Sequence, residues 1–258
     1  MSWASRRQFK YFSILLLVVA LIVFAFIYPM IFKKPTCNDG KQNGEETGID
    51  CGGKCAVVCK EDTVAPVVIW SRAFKVIGNN YNLVAYIENR NKTAAAYEVK
   101  YEFRAYDVNN KFIGRKEGKT FIPPNQPFAV LETRFNSGES ELKTVSFDFT
   151  SNITWVKKSP VLTTLPLRIS NISMDNNEDT PTLKAVVNND SVYDLPEFEV
   201  VAILYDIDNN AINASKTHKN GLKSNSSMNV VFTWPEALEG IPVTQDILVQ
   251  INPFSVSF

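Results

Sequence analysis

The stretch Tyr97-Glu-Val-Lys-Tyr-Glu-Phe-Arg-Ala105 carries a charged residue at every second position, and the positions between them are apolar. A period of two residues is typical of a β-strand with one face on a core and the other toward solvent. Similar short runs lie around it at Val67–Ala73, Leu83–Glu88, Ala129–Phe135 and Val145–Phe149, separated by turn-forming clusters of Gly, Asn and Pro. Because no helical period of useful length interrupts these runs, they predict a β-sandwich.

The two halves of the chain after residue 66 correspond when the first is shifted by 99 residues. Features coincide without a gap at Ser71 and Ser170, Asn89 and Asn188, Glu98 and Glu197, Tyr106-Asp107 and Tyr205-Asp206, Asn110 and Asn209, Phe135 and Trp234, and Trp155 and Phe254. A duplicated unit of about 90 residues has the size of an immunoglobulin-like domain. The sequence therefore predicts a mainly β protein with two tandem sandwiches, at residues 67–158 and 159–258.

The second half differs from the first on one face of its central strand. Its inward positions are apolar, as in the first half: Phe198, Val200, Ala202 and Leu204. On the other face, Val201 and Ile203 stand where the first half has Glu102 and Arg104. A strand that is apolar on both faces is either buried on both or exposes a patch. We expect Val201 and Ile203 to contact the first domain or a partner protein; the alternative is an ordinary central strand covered by its own loops.

This strand and the turn after it resemble a known family. Phe103-Arg-Ala-Tyr-Asp in the first half and Ile203-Leu-Tyr-Asp-Ile-Asp-Asn-Asn in the second resemble the FxLYD family, small immunoglobulin-like domains of prokaryotic surface proteins. The first half has Ala105 at the Leu position of that motif, and the second has Ala202 at the Phe position. The resemblance implies an immunoglobulin-like fold at a cell surface, and it carries no catalytic residues.

The N-terminal part of the chain contains an apolar segment, residues 11–32, without a charged residue. As a helix, a segment of this length spans about 33 Å, enough for the core of a bilayer. It lacks the small-residue cleavage site of a secretory signal peptide, so we expect a retained single-pass signal-anchor rather than a cleaved signal. Residues 1–10 would then be a cytoplasmic basic tail, and the C-terminal region would be extracytoplasmic.

All four cysteines, Cys37, Cys51, Cys55 and Cys59, fall within residues 33–66, which we interpret as a juxtamembrane module and linker. A segment rich in Cys, Gly, Asn and Asp cannot build a core and needs covalent or metal cross-links. Two disulfides are the leading interpretation, and three pairings are possible. A zinc site is the alternative, although the cysteine gaps lack the paired spacing of zinc ligands. Disulfides need an oxidising compartment, which favours an extracytoplasmic position.

Oxygen-bearing side chains crowd the loop between the first two cysteines. This pattern predicts a calcium site with the ligands Asp39, Asn43, Glu45 and Asp50, and the glycines between them permit tight turns. The alternative is that these acids form turns and are solvated, because their spacing lacks the alternation of established calcium loops. No other cofactor is predicted.

The same module resembles sequences of known surface proteins. From Cys37 to Cys55 the pattern reads C-x-D-G-x-x-N-G-x-E-x-x-x-D-C-G-G-x-C. It resembles Cys-rich stretches that stand next to an N-terminal membrane helix in surface proteins of candidate-phylum bacteria. It is also similar to the calcium-binding thrombospondin type 3 repeats. The resemblance implies a juxtamembrane module outside the cell, without a known activity.

Charge and motif content exclude several function classes. Lys and Arg equal Asp and Glu at 27 each, but five of the basic residues flank the apolar segment, so the remainder is mildly acidic and nucleic acid is not an expected partner. His218 is the single histidine, and neither a Gly-x-Ser-x-Gly, a phosphate-loop nor a dinucleotide pattern occurs, so we do not expect an enzyme.

The sequence predicts a non-catalytic binding or adhesion protein of the cell membrane, whose partners are the lipid bilayer and other envelope or surface proteins. The alternative is a structural spacer or assembly subunit of an envelope complex of the secretion or pilus type.

Overall fold

The structure is a computed structural model of the chain, and it describes residues 3–31, 34–158, 165–175 and 180–255. The chain separates into two compact units, Met1–Cys55 and Ala56–Phe258. The first unit holds a helix and most of the Cys-rich module. The second holds all of the β-strands.

The apolar segment forms one long helix, α1, at Trp3–Ile31. The helix begins within the predicted basic tail, residues 1–10, because that tail contains no Pro or Gly to end it. Its part Arg7–Tyr28 is long and apolar enough to cross a bilayer, and the side chains of that part are exposed. Phe32 and Lys33, where the predicted anchor ends and the predicted module begins, lie outside the described residues.

The first sandwich has seven strands: β1 (Val67–Ile77), β2 (Asn80–Asn89), β3 (Ala94–Asp107), β4 (Phe112–Ile122), β5 (Gln126–Asn136), β6 (Leu142–Phe149) and β7 (Val156–Lys157). They form two antiparallel sheets, ordered β1-β2-β5 and β4-β3-β6, and β7 pairs with the start of β3. All five predicted strands are present, and each is longer than its predicted range. The sequence pattern does not predict β4, because two glycines and the charged run Arg115-Lys-Glu117 interrupt its alternation.

The core of the first sandwich contains the side chains that alternate along β3. Val99, Tyr101, Phe103 and Ala105 are buried among residues of both sheets, and burying a large apolar side chain contributes about 1.5–3 kcal/mol. The hydroxyl of Tyr101 donates to Glu132 Oε1 at 2.7 Å, which satisfies the one polar atom of that ring. Gly118 on β4 lies so close that a Cβ there would be 2.3 Å from this hydroxyl.

The second sandwich has six strands: β8 (Leu167–Asp175), β9 (Thr182–Asn189), β10 (Phe198–Tyr205), β11 (Ala211–Lys219), β12 (Ser226–Thr233) and β13 (Thr244–Ile251). Its sheets are ordered β12-β9-β8 and β11-β10-β13. The predicted inward residues of β10 are buried in its core. Residues 159–164, 176–179 and 256–258 lie outside the described part, and the predicted domain boundary after residue 158 falls at the first of these gaps.

The strands pair in the same order in both sandwiches, but the shift in residue number between equivalent residues is not the same in every strand. Phe103 on β3 and Ala202 on β10 hold the same place in the register, an offset of 99 residues. The β2–β5 and β9–β12 pairs are related by 100 residues. The counterpart of Asn89 is therefore Asn189 and not the predicted Asn188. Both amides are buried, and in each the Nδ2 donates to carbonyls of neighbouring loops while the Oδ1 accepts the N–H two residues on.

Candidate functional site

Val201 and Ile203 point away from the core of the second sandwich, because side chains alternate along β10. Neither has any exposed surface (0 % each). They belong to a third apolar cluster, which we call the shared cluster because both sandwiches contribute to it. Its buried members are Phe74, Val84, Ala129 and Leu131 from the first sandwich and Val201, Ile203, Tyr205, Ala211 and Ala214 from the second. The outer face of the β1-β2-β5 sheet thus packs on the outer face of the β11-β10-β13 sheet.

For Val201 and Ile203, the sequence left open whether they contact the first sandwich, a partner protein or their own loops, and the structure decides between these alternatives. Their neighbour is the first sandwich of the same chain rather than their own loops. Since both side chains are fully buried, this arrangement does not offer them to another protein. Each such burial contributes about 1.5–3 kcal/mol, so the cluster favours one arrangement of the two sandwiches.

Hydrogen bonds accompany this packing, from Arg72 Nη1 to the Ala211 carbonyl at 2.8 Å, from Asn82 Nδ2 to the Ala214 carbonyl at 3.3 Å, and from the Ala129 N–H to Gln250 Oε1 at 2.7 Å. The bond to Ala129 is buried at both ends. A buried donor or acceptor left without a partner costs about 1–3 kcal/mol, so a shift of one sheet over the other is penalised. These bonds therefore fix the register of the contact.

Two tyrosines, one from each sandwich, lie close to Asp246 beside the shared cluster. The hydroxyl of Tyr205 donates to Asp246 Oδ2 at 3.1 Å. Burial and then the negative charge of Asp246 raise the pKa of Tyr205, and the same two causes raise the pKa of Tyr86. The ring of Tyr86 also stacks on Trp70, with centroids 5.6 Å apart. The contact between the sandwiches thus favours the neutral form of both phenols.

Disulfides hold the Cys-rich module, as predicted. Cys37 is bonded to Cys55. Cys51 and Cys59 are disulfide-bonded as well, and no cysteine is free. The structure thus selects one of the three possible pairings. The alternative of a zinc site does not hold, because zinc requires thiolates and all four sulfurs are oxidised.

The acidic side chains of the module accept hydrogen bonds from its own turns. Asp50 Oδ1 accepts the N–H of Asp39 at 2.9 Å, and Asp50 Oδ2 accepts the N–H of Gly40 at 2.9 Å. Asp39 Oδ2 accepts a bond from Asn43 Nδ2 at 2.9 Å. This bond is the main cause that lowers the pKa of the Asp39 carboxyl. Three of the four predicted calcium ligands therefore lie together, bonded to one another or to backbone.

Glu45, the fourth predicted ligand, forms an exposed ion pair with Lys54. Among the described residues, the one group of three ligand-type side chains close enough to share a metal is Cys37, Glu46 and Cys55, and its two sulfurs form the disulfide. The acidic oxygens are arranged as in the turn-forming alternative, and calcium binding stays a prediction.

Sequence reasoning missed exposed apolar residues on two neighbouring loops of the second sandwich, which we call the tip loops (residues 206–210 and 234–243). Ile207 in the first is 80 % exposed, and Ile241 and Val243 in the second are 77 % and 51 % exposed. The N–H of Val243 donates to the Tyr205 carbonyl at 2.8 Å, which brings the second loop beside the first. The sequence holds a signal for them, because both loops contain acidic and aliphatic residues but no basic one.

The single histidine, His218, lies on β11. Its side chain is half exposed, and its Nε2 is 3.8 Å from a carboxylate oxygen of Glu197. An exposed contact of this kind gives no support for a catalytic role.

Comparison with known proteins gives no match to a family model and none to a curated protein. Among solved structures, the chain is similar to red sea bream transglutaminase, with a TM-score of 0.23 and 10 % identity over 70 % of this chain and 31 % of that one. It thus spans about a third of that protein. It is also similar to a chain from the chaperone–tip adhesin complex of CFA/I fimbriae biogenesis, with a TM-score of 0.20 and 11 % identity over 70 % of this chain and 98 % of that one. Likenesses this weak carry no argument about function.

Proposed function

We propose that this protein is a non-catalytic, membrane-anchored binding or adhesion protein whose tandem sandwiches stand on the extracytoplasmic side of a cell membrane. The observation that carries the proposal is the shared cluster, which joins the sandwiches through fully buried side chains such as Val201 and Ile203. A surface assembled before binding loses less conformational freedom when a partner docks than two independently moving domains would lose. The loops of the joined sandwiches are therefore suited to surface recognition.

The proposed anchor is α1. Its apolar part, Arg7–Tyr28, spans about 33 Å as a helix, enough for the core of a bilayer. The disulfides next to it favour the oxidising side of the membrane for the rest of the chain. The lipid bilayer is thus the first proposed partner, and other envelope or surface proteins are the second.

A structural spacer or assembly subunit of an envelope complex is the second candidate function. The extent of the shared cluster favours it, because a buried contact between tandem domains also stiffens a stalk. The common strand order and nearly constant offset support the proposal that the sandwiches are repeats of one unit. A spacer of repeated units would need no ligand-binding loop.

Cross-linking with mass spectrometry on native membranes separates the two functions. A binding protein is expected to cross-link to molecules supplied from outside, through loops of the sandwiches, and to lose them when the supply is removed. A spacer is expected to give a constant stoichiometry with other envelope proteins under both conditions. The absence of any cross-link other than those within the chain would contradict both proposals.

Thiol labelling of intact cells tests the topology. An alkylating reagent that does not cross membranes is expected to label Cys37, Cys51, Cys55 and Cys59 only after treatment with a reductant that is equally excluded. Thiols that are already reduced, and that are labelled only after the cells are permeabilised, would overturn the extracytoplasmic assignment.

A further inference from the structure

We propose that the tip loops of the second sandwich form a docking surface for a polypeptide that presents apolar side chains together with Lys or Arg. This inference rests on the proposed binding function and deepens it by naming the chemistry of the partner. The surface has an apolar part, formed by Ile207, Ile241 and Val243, and an acidic part, formed by the carboxylates of the same two loops.

The second tip loop is fixed to the end of the sandwich at several points. Trp234 Nε1 donates to Asn213 Oδ1 at 2.9 Å, and both groups are buried. A Cβ at Gly240 would lie 3.5 Å from Ile212, so the loop backbone runs close over β11. The bond from the N–H of Val243 to the Tyr205 carbonyl fixes the loop where it enters β13.

The exposed aliphatic residues are not needed to complete the fold. Leu238 in the same loop already packs against the core of the second sandwich, whereas Ile241 and Ile207 are the two most exposed large apolar residues of either loop. In the first sandwich the corresponding loop between β5 and β6 reads Ser137-Gly-Glu-Ser-Glu141 and has no apolar residue. The second sandwich has thus gained apolar surface at a place where the same fold does without it.

The charge of the tip loops selects the partner. Their ionisable residues are Asp206, Asp208, Glu236 and Glu239, and neither loop contains Lys, Arg or His. Asp206 is used by its own turn, where Oδ1 accepts two backbone N–H groups. Glu239 lines a groove together with Lys143 and Arg72 of the first sandwich. Asp208 and Glu236 are exposed and form no ion pair with any described residue, so they attract a basic partner.

The same charge disfavours other occupants. An anionic lipid surface would be repelled by the carboxylates, and so would the identical tip of a second copy. A polypeptide with alternating or clustered apolar and basic residues satisfies both parts of the surface. Since the charged groups are exposed, the attraction falls as salt screens it over about 10 Å at 0.1 M.

Selection of displayed peptides tests the inference on the full chain, held in nanodiscs of neutral phosphatidylcholine. A library of random twelve-residue peptides is panned on the wild type and counter-selected on the Ile207→Ser, Ile241→Ser double variant. We expect enriched peptides to combine Lys or Arg with aliphatic or aromatic residues. Their affinity should fall at least about tenfold in the double variant and in Asp208→Lys, Glu236→Lys, and it should weaken with added salt.

Three results would overturn the inference. The first is that no peptide is enriched over the counter-selected variant, and the second is that the enriched peptides are acidic or uncharged. The third is that the wild-type protein binds phosphatidylglycerol vesicles, or a second copy of itself, through Ile207 and Ile241. Val108→Ser in the corresponding turn of the first sandwich is the matched control and should leave peptide binding unchanged. If the double variant keeps its cross-links to external partners on native membranes, the tip loops are not the docking surface, while the proposed binding function stands.

Discussion

The first and second sandwiches use the same strand face in opposite ways. On β3 of the first sandwich this face carries Glu102, which pairs with Arg104 and, at 3.4 Å, with Arg115 of β4. On β10 of the second sandwich, Val201 and Ile203 stand at the equivalent positions and pack against the first sandwich. One architecture therefore gives either a charged face without a neighbouring sandwich or an apolar buried interface, and a few residues on one strand decide which.

The two sandwiches also contribute different faces to their contact. The first offers its β1-β2-β5 sheet, and the second offers its β11-β10-β13 sheet. A contact between unlike faces can be repeated from one unit to the next without closing. The charged outer face of β3 opposes such growth, because adding another sandwich there would desolvate the exposed Arg104 and Arg115.

Ile203→Asp is the strongest test of the comparison, since it puts a charged residue on β10 at the position where β3 carries the charged Arg104. The carboxylate would be fully buried among the apolar side chains of the shared cluster, so we expect the free energy of unfolding to fall by about 3–5 kcal/mol. Urea unfolding of the full chain in detergent micelles measures this. A second expected result is that one cooperative transition of the sandwiches separates into two, because the shared cluster couples them.

Lys100→Asp provides the matched control for Ile203→Asp. Lys100 is exposed on the outer face of β3, where introducing the same carboxylate should alter stability by no more than about 0.5 kcal/mol. If the two substitutions have equal effects, the shared cluster does not hold the sandwiches together.

Asn89→Ala and Asn189→Ala test what the sandwiches have in common. Each amide is buried and joins neighbouring loops through carbonyl and N–H groups that would lose their partner. We expect each substitution to cost about 3 kcal/mol, and the two costs to agree within a factor of two. Thermal unfolding monitored by circular dichroism would show it. Asn188→Ala is the control, because Asn188 is only partly buried, and a loss there as large as at Asn189 would contradict the special role of the fully buried amide.

The sequence identified most strands and the face of β10 that is buried, but not what covers it. Alternation along β3 correctly assigned every second residue from Val99 through Ala105 to the core. It also assigned Glu102 to an exposed face, yet Glu102 is buried because Arg104 and Arg115 lie over it. Long charged side chains cover one another in ways that a strand period does not encode. For the same reason, the pattern at Val201 and Ile203 predicts burial without naming the neighbour.

The candidate sites were less predictable than the fold. Four clustered cysteines indicated disulfides, but spacing left the pairing of Cys37 with Cys55 open. The acidic residues of the module have the composition of a calcium loop. Which hydrogen bonds they form depends on the geometry of the turns, and the spacing of the residues along the sequence does not reveal that geometry. The tip loops were missed because Ile207 and Ile241 are single aliphatic residues without a periodic pattern.

Gly118→Ala tests a smaller difference between the cores. Tyr101 needs the space above Gly118, whereas the equivalent pair in the second sandwich is Val200 and Thr217. A methyl group 2.3 Å from the Tyr101 hydroxyl must displace the ring, and we expect a loss of about 2 kcal/mol in the free energy of unfolding. Thr217→Ala is the control and should cost less. The added Cβ would also lie 2.5 Å from Cζ of the Tyr101 ring, which Phe would keep. The loss at Gly118 should therefore shrink when Tyr101→Val is added, because Val is the residue that the second sandwich has at Val200; an unchanged loss would contradict the contact.

Alkaline pH gives the smallest expected effect and separates the shared cluster from the cores. Burial and Asp246 raise the pKa of Tyr205 and of Tyr86, so the folded protein holds these protons more tightly than the unfolded chain, whose tyrosines titrate near pH 10. The stability that the neutral phenols contribute is therefore fully present below about pH 10 and is lost as the pH rises above it.

Urea midpoints measured between pH 8 and pH 11 should fall less steeply for Tyr205→Phe than for the wild type. Because Tyr205 lies in the shared cluster, the wild type should also lose the coupling between its sandwiches as it loses stability. If the slope is the same in both proteins, ionisation of Tyr205 does not weaken the contact, and the packing of Val201 and Ile203 alone determines it.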